Sequence, residues 1–110
     1  MLQYEVARKL YEELQEKIAG QPAEVKEFYQ DFLISATEYA KTRLSWSFMS
    51  LAERRADDAS RSIKHDGYMA MLTAICRNLG VDDVETLMPE RKSKGDFACY
   101  IAMFLALEQR

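Results

Sequence analysis

The sequence predicts an all-α protein, a helical bundle of four main helices and one short helix. Two observations lead to this fold class. The 110 residues include only four Gly and two Pro, whereas good helix formers such as Ala, Leu, Glu, Lys and Arg are abundant. Apolar residues also recur at steps of three and four, the spacing of one helix face. A chain of this length is expected to form a single domain, residues 1–110, with a sizeable core.

The first two predicted helices carry regular apolar lines. Helix one is predicted over Leu2–Ala19, and Gly20 is expected to end it. Pro22 suits the first turn of the second helix, which runs to about Phe48. The apolar line of helix one consists of Leu2, Val6, Leu10, Leu14 and Ile18.

Arg43 is the one charged residue on an aromatic line of the second helix. The favoured interpretation is that it stacks between Tyr39 and Trp46 and keeps its charged head in water. The alternative is that it faces inward because it meets a carboxylate. A short turn would make helices two and three antiparallel. In that hairpin Arg43 comes level with Arg54 and Asp58. Tyr39, one turn before Arg43, belongs to the same level.

The third helix, Leu51–Leu79, has clear signals at both ends. Ser50 and Glu53 fit the Ser-x-x-Glu capping box, and Gly80 is a natural stop. One face is charged in its first half and apolar in its second. The opposite face carries small residues, which predicts that another helix packs closely there and that helix three is central. This small-residue face consists of Ala52, Ala56, Ala59, Ile63, Gly67, Ala70 and Ala74.

A short helix is predicted over Asp83–Met88, with Asp82 and Glu85 as its cap and Pro89 as its end. The segment Pro89–Gly95 is predicted to be a basic loop. It is a candidate anion-binding loop because it leads into a helix N-terminus, although solvated surface charge explains the same residues. Its cations are Arg91, Lys92 and Lys94.

The last helix is expected to be capped by Ser93 or Asp96 and to run to about Gln109. Its core, Phe97–Leu107, is apolar on nearly every face. The sequence therefore predicts either the buried axis of the bundle or one half of a dimer interface.

Composition excludes several classes of protein. The net charge of −3 argues against general nucleic-acid binding, because phosphate contacts need a positive surplus on one face. No secretory signal is recognisable, and the longest apolar run, Phe97–Leu107, is shorter than the roughly 20 residues of a membrane span. We therefore expect a cytoplasmic protein without membrane contact. Cys76 and Cys99 lie among apolar residues and are predicted to be reduced core residues.

A block of charged residues on helix three is the main candidate site. Three arginines, Arg54, Arg55 and Arg61, balance three aspartates, Asp57, Asp58 and Asp66, within it. This balance favours an interhelical ion-pair network that sets helix register. The alternative is that Arg54 and Arg61, with Arg43 across the hairpin, form a fork for a phosphate or carboxylate. His65 would then titrate or transfer a proton beside the fork. This candidate polar cluster comprises Arg43, Arg54, Asp58, Arg61, His65 and Asp66.

Metal and cofactor chemistry are not expected. His65-Asp66 is similar to the metal-binding dyad of a phosphohydrolase superfamily, but that chemistry needs further histidines and His65 is the only one in the chain. The same shortage argues against zinc and carboxylate-bridged di-iron sites. The sequence contains no Gly-rich phosphate loop, no Gly-x-Ser-x-Gly and no Cys-x-x-Cys motif.

A pattern of residues in the last two thirds of the chain carries a family resemblance. It consists of Trp46, Glu53-Arg54, Asp58, Arg61, His65-Asp66, Arg91-Lys92 and Gly95-Asp96-Phe97-Ala98-Cys99-Tyr100-Ile101. Over about Tyr39–Arg110 the chain resembles a family of small uncharacterised bacterial proteins, a domain of unknown function found mainly in Gram-positive organisms. The resemblance implies a helical fold in which the polar block and the last helix belong together, and it supplies no activity. It adds Asp96 to the candidate polar cluster. Asp96 is expected either to reach Arg54 or Arg61 or to cap the last helix.

The favoured function is a non-enzymatic interaction or regulatory module that acts as a homodimer or with another protein. The alternative is a binder or small enzyme acting on an anionic small molecule at Arg54, Arg61 and His65, with Arg43 assisting. Nucleic-acid contact through the basic loop ranks last, because no predicted helix offers a plain recognition surface.

Overall fold

The computed structural model describes residues 4–81 and 84–109, and within them the chain is helical with no strand. The predicted all-α class is therefore confirmed. Four of the five helices have seven or more residues. The helices are α1 (Tyr4–Ala19), α2 (Ala23–Ser47), α3 (Leu51–Leu79), α4 (Val84–Leu87) and α5 (Arg91–Glu108). Leu2, Asp82 and Asp83, which the sequence analysis assigned to a helix or a cap, lie outside the described residues.

The central helix is α2, which packs against α1, α3 and α5. The prediction that α3 is central is wrong. The two helices with the most regular apolar lines bury most of each line, because residues three and four apart share one face. Val6 of the predicted α1 line is only partly buried. The buried residues are Ala7, Leu10, Tyr11, Leu14 and Ile18 in α1, and Tyr29, Phe32, Leu33, Ala36, Tyr39 and Ala40 in α2.

Aromatic rings form much of the contact between helices. Tyr68 of α3 stacks on Phe32 and Tyr39 of α2, with centroid distances of 6.0 and 5.4 Å. His65 meets the same Tyr39 ring edge-on at 5.3 Å. Such ring pairs stabilise the fold beyond the contribution from their buried apolar area, and they prefer offset or edge-to-face geometry. The aromatic core therefore extends along α3 as far as His65.

Both ends of α3 are formed as the sequence predicts. The Ser50 hydroxyl accepts a hydrogen bond from Glu53 N at 3.2 Å, and Glu53 Oε1 accepts one from Ser50 N at 3.0 Å. At the other end Gly80 adopts φ 69°, in the left-handed region that favours glycine. Val81 N then donates to Cys76 O at 2.9 Å, which satisfies a terminal carbonyl.

The last helix begins earlier than predicted. Arg91 is already helical, and Lys94 N donates to Glu90 O at 3.1 Å. Ser93 and Asp96 lie inside the helix, so the prediction that one of them caps it is wrong. The predicted basic loop is therefore the first turn of α5. Arginine and lysine are good helix formers, which explains why the helix includes this segment.

One face of α5 is buried and the other is accessible. Phe97, Ala98, Ile101 and Phe104 are buried. Met103 and Leu107, by contrast, are 38% and 44% exposed. The helix is therefore not a fully enclosed axis. The alternative, that it forms half of a dimer interface, stays a prediction.

The distal half of the α2–α3 hairpin, Lys41–Lys64, is called the arm because none of its residues is buried. The buried residues of α3 begin only at His65. The small-residue face of α3 is exposed along its whole length, and Ile63 on it is 72% exposed. The prediction that a second helix covers this face is wrong. In the described part of the chain, α1 and α5 pack on other faces.

Candidate functional site

The site of interest is a pocket of about 320 Å³ where α3 passes the N-terminal turn of α5. We call it the basic pocket, since most of its lining side chains can carry positive charge. Two of them, Arg61 and His65, come from the candidate polar cluster, and two come from the candidate anion-binding segment. The lining residues are Tyr39, Arg61, Ser62, His65, Arg91 and Lys92.

Arg61 is held in place but is incompletely hydrogen-bonded. Its guanidinium carbon lies 4.6 Å from the centroid of the Trp46 ring, a cation–π contact. Its Nε is buried without a hydrogen-bond partner. The carboxylate of Asp58 approaches Arg61 Nη2 only to 3.6 Å, which is too long for a hydrogen bond. Arg61 therefore retains donor capacity beside the pocket.

Arg91 and Lys92 are the first two residues of α5. This position is electrostatically unfavourable for cations, because unpaired N–H groups give a helix N-terminus partial positive charge. The first turn contains no acidic residue, and Glu90 at the N-cap makes no side-chain capping bond. Positive charge from two side chains and one helix end thus accumulates here.

His65 is 9% exposed and touches charged groups of both signs. Its Nδ1 lies 3.1 Å from Asp66 Oδ1. Arg91 Nη2 lies 2.9 Å from the same Nδ1 and 3.4 Å from Nε2. Arg91 Nη2 is 3.9 Å from Asp66 Oδ1. His65 therefore links a carboxylate of α3 to a guanidinium of α5.

Two hydroxyl groups complete the pocket lining. Burial raises the pKa of Tyr39, so its phenol remains neutral and available as a donor or acceptor at physiological pH. Ser62, next to Arg61, is exposed. Sequence reasoning missed both residues. Serine one position after an arginine carries no recognisable signal, and Tyr39 was placed beside Arg43 on an aromatic line without a role in a site.

Arg54 serves the hairpin turn and lies outside the basic pocket. Its guanidinium carbon is 4.4 Å from the Trp46 ring centroid. Its Nε donates to Trp46 O at 3.1 Å, and its Nη2 donates to Ser47 O at 3.4 Å. These carbonyls belong to the last turn of α2, where carbonyls lack partners within the helix. Trp46 O also accepts from Met49 N at 3.2 Å. The predicted fork of Arg54 and Arg61 for one anion is therefore not formed, although both arginines lie over Trp46.

Arg43 pairs with Asp96 of α5, at 2.9 Å between Nη2 and Oδ1. The favoured stacking of Arg43 between Tyr39 and Trp46 is wrong, and the alternative of a carboxylate partner is confirmed. The expectation that Asp96 reaches Arg54 or Arg61 is also wrong. The hairpin register explains the difference, because Tyr39 lies beside His65 rather than at the level of Asp58.

The three cations of the candidate anion-binding segment diverge. Lys94 is buried and its Nζ pairs with Glu85 Oε2 at 3.1 Å. Its carbonyl accepts a hydrogen bond from the Tyr68 hydroxyl at 2.8 Å. Lys94 therefore connects α5 to α4 and α3, while Arg91 and Lys92 face the basic pocket.

The two cysteines differ in their surroundings. Cys76 is buried, as predicted, whereas Cys99 is exposed, so its assignment to the core is wrong. Arg43 Nη1 lies 3.8 Å from Cys99 Sγ. Burial of the sulfur itself raises the pKa of the Cys99 thiol despite this cation. Cys99 is therefore protonated at neutral pH and is a weak nucleophile.

No family model, curated protein or solved structure matches this chain. The resemblance to a family of bacterial proteins stays a prediction. Within residues 4–81 and 84–109, no group of His, Cys, Asp and Glu side chains is arranged to hold a metal ion. In the same part of the chain, no helix combines the length and apolar character needed to cross a membrane.

Proposed function

We propose that this protein is a non-enzymatic binding module that takes an anionic small molecule, bearing phosphate or carboxylate, in the basic pocket. The observation that supports this most directly is the convergence of Arg61 from α3 with Arg91 and Lys92 from α5 around one hollow. Guanidinium, ammonium and hydroxyl donors are the groups that bind oxyanions in proteins.

The charges of the pocket are poorly compensated from within the protein. The nearest carboxylates are Asp58, 3.6 Å from Arg61, and Asp66, 3.9 Å from Arg91. Their side chains are 59% and 71% exposed, so water screens both pairs. Three permanent cations, together with the N-terminus of α5, therefore produce a positive potential that an anion would relieve.

Binding can be measured with the protein's own fluorescence. Trp46 is the only tryptophan, and the guanidinium of Arg61 lies 4.6 Å from its ring centroid. A phosphate that draws Arg61 towards the pocket should change Trp46 emission. It should also raise the melting temperature as its concentration increases, since a ligand that binds only the folded state stabilises that state.

The control separates site binding from general ionic effects. Arg61→Met should abolish the fluorescence change and most of the thermal shift, whereas Arg55→Met removes the same charge from an exposed position of α3 outside the pocket and should retain both. Lys92→Met provides a second test at an exposed lining residue. Potassium chloride at matched ionic strength gives the baseline. No shift with phosphate at tens of millimolar, or an equal shift in the Arg61 and Arg55 variants, would refute the proposal.

A second candidate function is self-association through the small-residue face of α3. An isolated pair of helices buries little apolar area, and helices in proteins gain most of their stability from such packing. None of the residues of this arm is buried, so a second copy could supply the missing contact. In this dimer the α3 helices of two copies would pack antiparallel, with the two-fold axis between Asp57 and Asp58. Ala56 of one copy would then lie opposite Ala59 of the other. This pairing also sets Ala52 opposite Ile63. Small residues let two helices approach closely, and the exposed Ile63 side chain would gain cover.

Molecular mass tests this second candidate. Light scattering or sedimentation should give twice the chain mass of 12.7 kDa, and Ala59→Glu should return the monomer. Ala23→Glu, at an exposed position on α2, is the matched control and should remain dimeric. A mass of one chain for the unaltered protein at high concentration would exclude the homodimer.

A further inference from the structure

Resting on the proposed function, we infer that the basic pocket takes up a divalent oxyanion together with one proton, and that the proton goes to His65. The imidazole ring contacts both Asp66 and Arg91, and these contacts limit which ring nitrogens can carry hydrogen while Arg91 stays in place.

Arg91 needs a lone pair on His65. A guanidinium nitrogen only donates, so its contacts at 2.9 Å to Nδ1 and 3.4 Å to Nε2 require at least one unprotonated ring nitrogen. Asp66, in contrast, only accepts when ionised, and its 3.1 Å contact with Nδ1 is favourable if that nitrogen carries hydrogen. While Arg91 donates to the ring, at least one nitrogen of His65 must act as the acceptor, whichever tautomer is present.

An anion removes this restriction. A bound oxyanion attracts Arg91 into a charge-assisted hydrogen bond, which is stronger than a bond to neutral imidazole. With Arg91 withdrawn, His65 can carry hydrogen on both nitrogens. Nδ1 then donates to Asp66 and Nε2 donates to the anion. The proton comes from solvent, and histidine is the side chain that ordinarily changes charge between about pH 5 and 8.

The other groups around His65 agree with this assignment. From α2, Tyr39 contributes an aromatic edge contact and a neutral hydroxyl. From α3, Asp66 favours a charged imidazole, whereas Arg61 opposes one. From α5, Arg91 and Lys92 also oppose it. The permanent cations outnumber the carboxylate around the ring, and a bound anion would offset their charge.

The ligand class follows from this balance. A doubly charged oxyanion offsets more of the charge of Arg61, Arg91 and Lys92 than a monoanion does, and so reduces further the repulsion that a protonated His65 would meet. It also has enough oxygens for Arg61, Arg91 and His65 to donate to different ones. We therefore expect sulfate or a phosphate monoester dianion to bind with proton uptake, whereas chloride binds weakly and without it.

Sulfate is the appropriate probe because it stays doubly charged between about pH 5.5 and 8, whereas phosphate titrates itself in this range. Sulfate binding is followed through Trp46 fluorescence, and proton uptake through calorimetry in two buffers of different ionisation enthalpy. If His65 takes up the proton, we expect the affinity for sulfate to fall as the pH rises, by at most about tenfold for each pH unit, over the same range in which calorimetry detects proton uptake.

Because His65 is the only histidine, its imidazole proton resonance reports directly on protonation. Sulfate should move the midpoint of that titration to higher pH. His65→Gln should bind sulfate more weakly and with no proton uptake. Asp66→Asn, at an exposed position, should keep the fold and lower the proton uptake at a given pH.

The outcomes separate the two proposals. Sulfate binding without proton uptake, or unchanged uptake in His65→Gln, would overturn the inference and leave anion binding intact. No binding of sulfate or phosphate at any pH would overturn the proposed function and this inference together. Should His65→Gln fail to fold, the imidazole resonance of the unaltered protein decides alone. A titration midpoint that sulfate does not move contradicts the inference.

Discussion

Arg43 and Asp96 join the middle of the chain to its last helix, with 2.9 Å between Arg43 Nη2 and Asp96 Oδ1. Their side chains are 27% and 24% exposed, so water weakens this pair less than it weakens the exposed pairs of the surface. Gly95 allows the approach, because a Cβ there would lie 3.0 Å from Arg43 Nη1. The pair thus ties α2 to the second turn of α5, which follows the turn that carries Arg91 and Lys92.

Loss of this pair should destabilise the fold. Asp96→Asn leaves a half-buried guanidinium without its counter-charge, and we expect a loss of roughly 1–2 kcal/mol, or about 5–10 °C in melting temperature. Asp58→Asn is the matched control, since Asp58 is 59% exposed and lies 3.6 Å from its partner. Thermal melts that show equal effects for both variants would contradict the prediction.

The capping box of α3 should contribute measurably to stability. Ser50→Ala removes the acceptor for Glu53 N, and we expect a cost of about 1 kcal/mol. Ser60→Ala makes the same chemical change in the exposed interior of α3 and should be neutral or slightly stabilising, because alanine is the better helix former. Urea denaturation of the two variants measures the difference, and a Ser50 variant as stable as the Ser60 variant would argue against the cap.

Two buried tyrosines should respond in opposite ways to loss of their hydroxyl. The Tyr29 hydroxyl is buried without a hydrogen-bond partner, so Tyr29→Phe should be neutral or stabilising. The Tyr68 hydroxyl donates to Lys94 O at 2.8 Å. Tyr68→Phe leaves that carbonyl without its donor and should cost roughly 1–3 kcal/mol. Denaturant midpoints test the pair, and a destabilised Tyr29→Phe protein would indicate a partner for its hydroxyl.

Stability should fall in alkali. Burial, with a further contribution from Glu108, raises the pKa of Tyr11 to about 12, and burial raises the pKa of Tyr68 well above its ordinary value. A group whose pKa is higher in the folded than in the unfolded state stabilises the folded protein fully at pH values below its unfolded-state pKa. That stabilisation is lost as the pH rises above this value. The loss should therefore begin near pH 10 and continue to about pH 12. Melting temperatures measured from pH 8 upward test this, and Tyr11→Phe should flatten the decline.

The arm should open more readily than the rest of the hairpin. Residues Lys41–Lys64 contain no buried side chain, whereas the second half of α3, from His65 to Leu79, contributes to the core. Hydrogen exchange should therefore be faster in the arm than in the second half of the same helix. Protection of the arm that increases with protein concentration would support self-association. Uniform slow exchange in dilute protein would contradict the prediction.

Parts of the site could be read from the sequence. Arg61 and His65 are four residues apart, so they share a helix face wherever the helix lies. The capping box at Ser50 and the glycine stop at Gly80 are equally local, because each involves only a few neighbouring residues. What the sequence could not supply was the partner of each charge.

The tertiary structure alone decided that Arg91 meets His65 and that Arg43 meets Asp96. Each contact depends on the register of the α2–α3 hairpin and on where α5 crosses it, and many registers satisfy the same apolar pattern. It also decided that the small-residue face of α3 stays uncovered, because α1 and α5 pack elsewhere. Helix periodicity follows from backbone hydrogen bonds between near neighbours. The pairing of helices depends on contacts between distant residues, which no local pattern specifies.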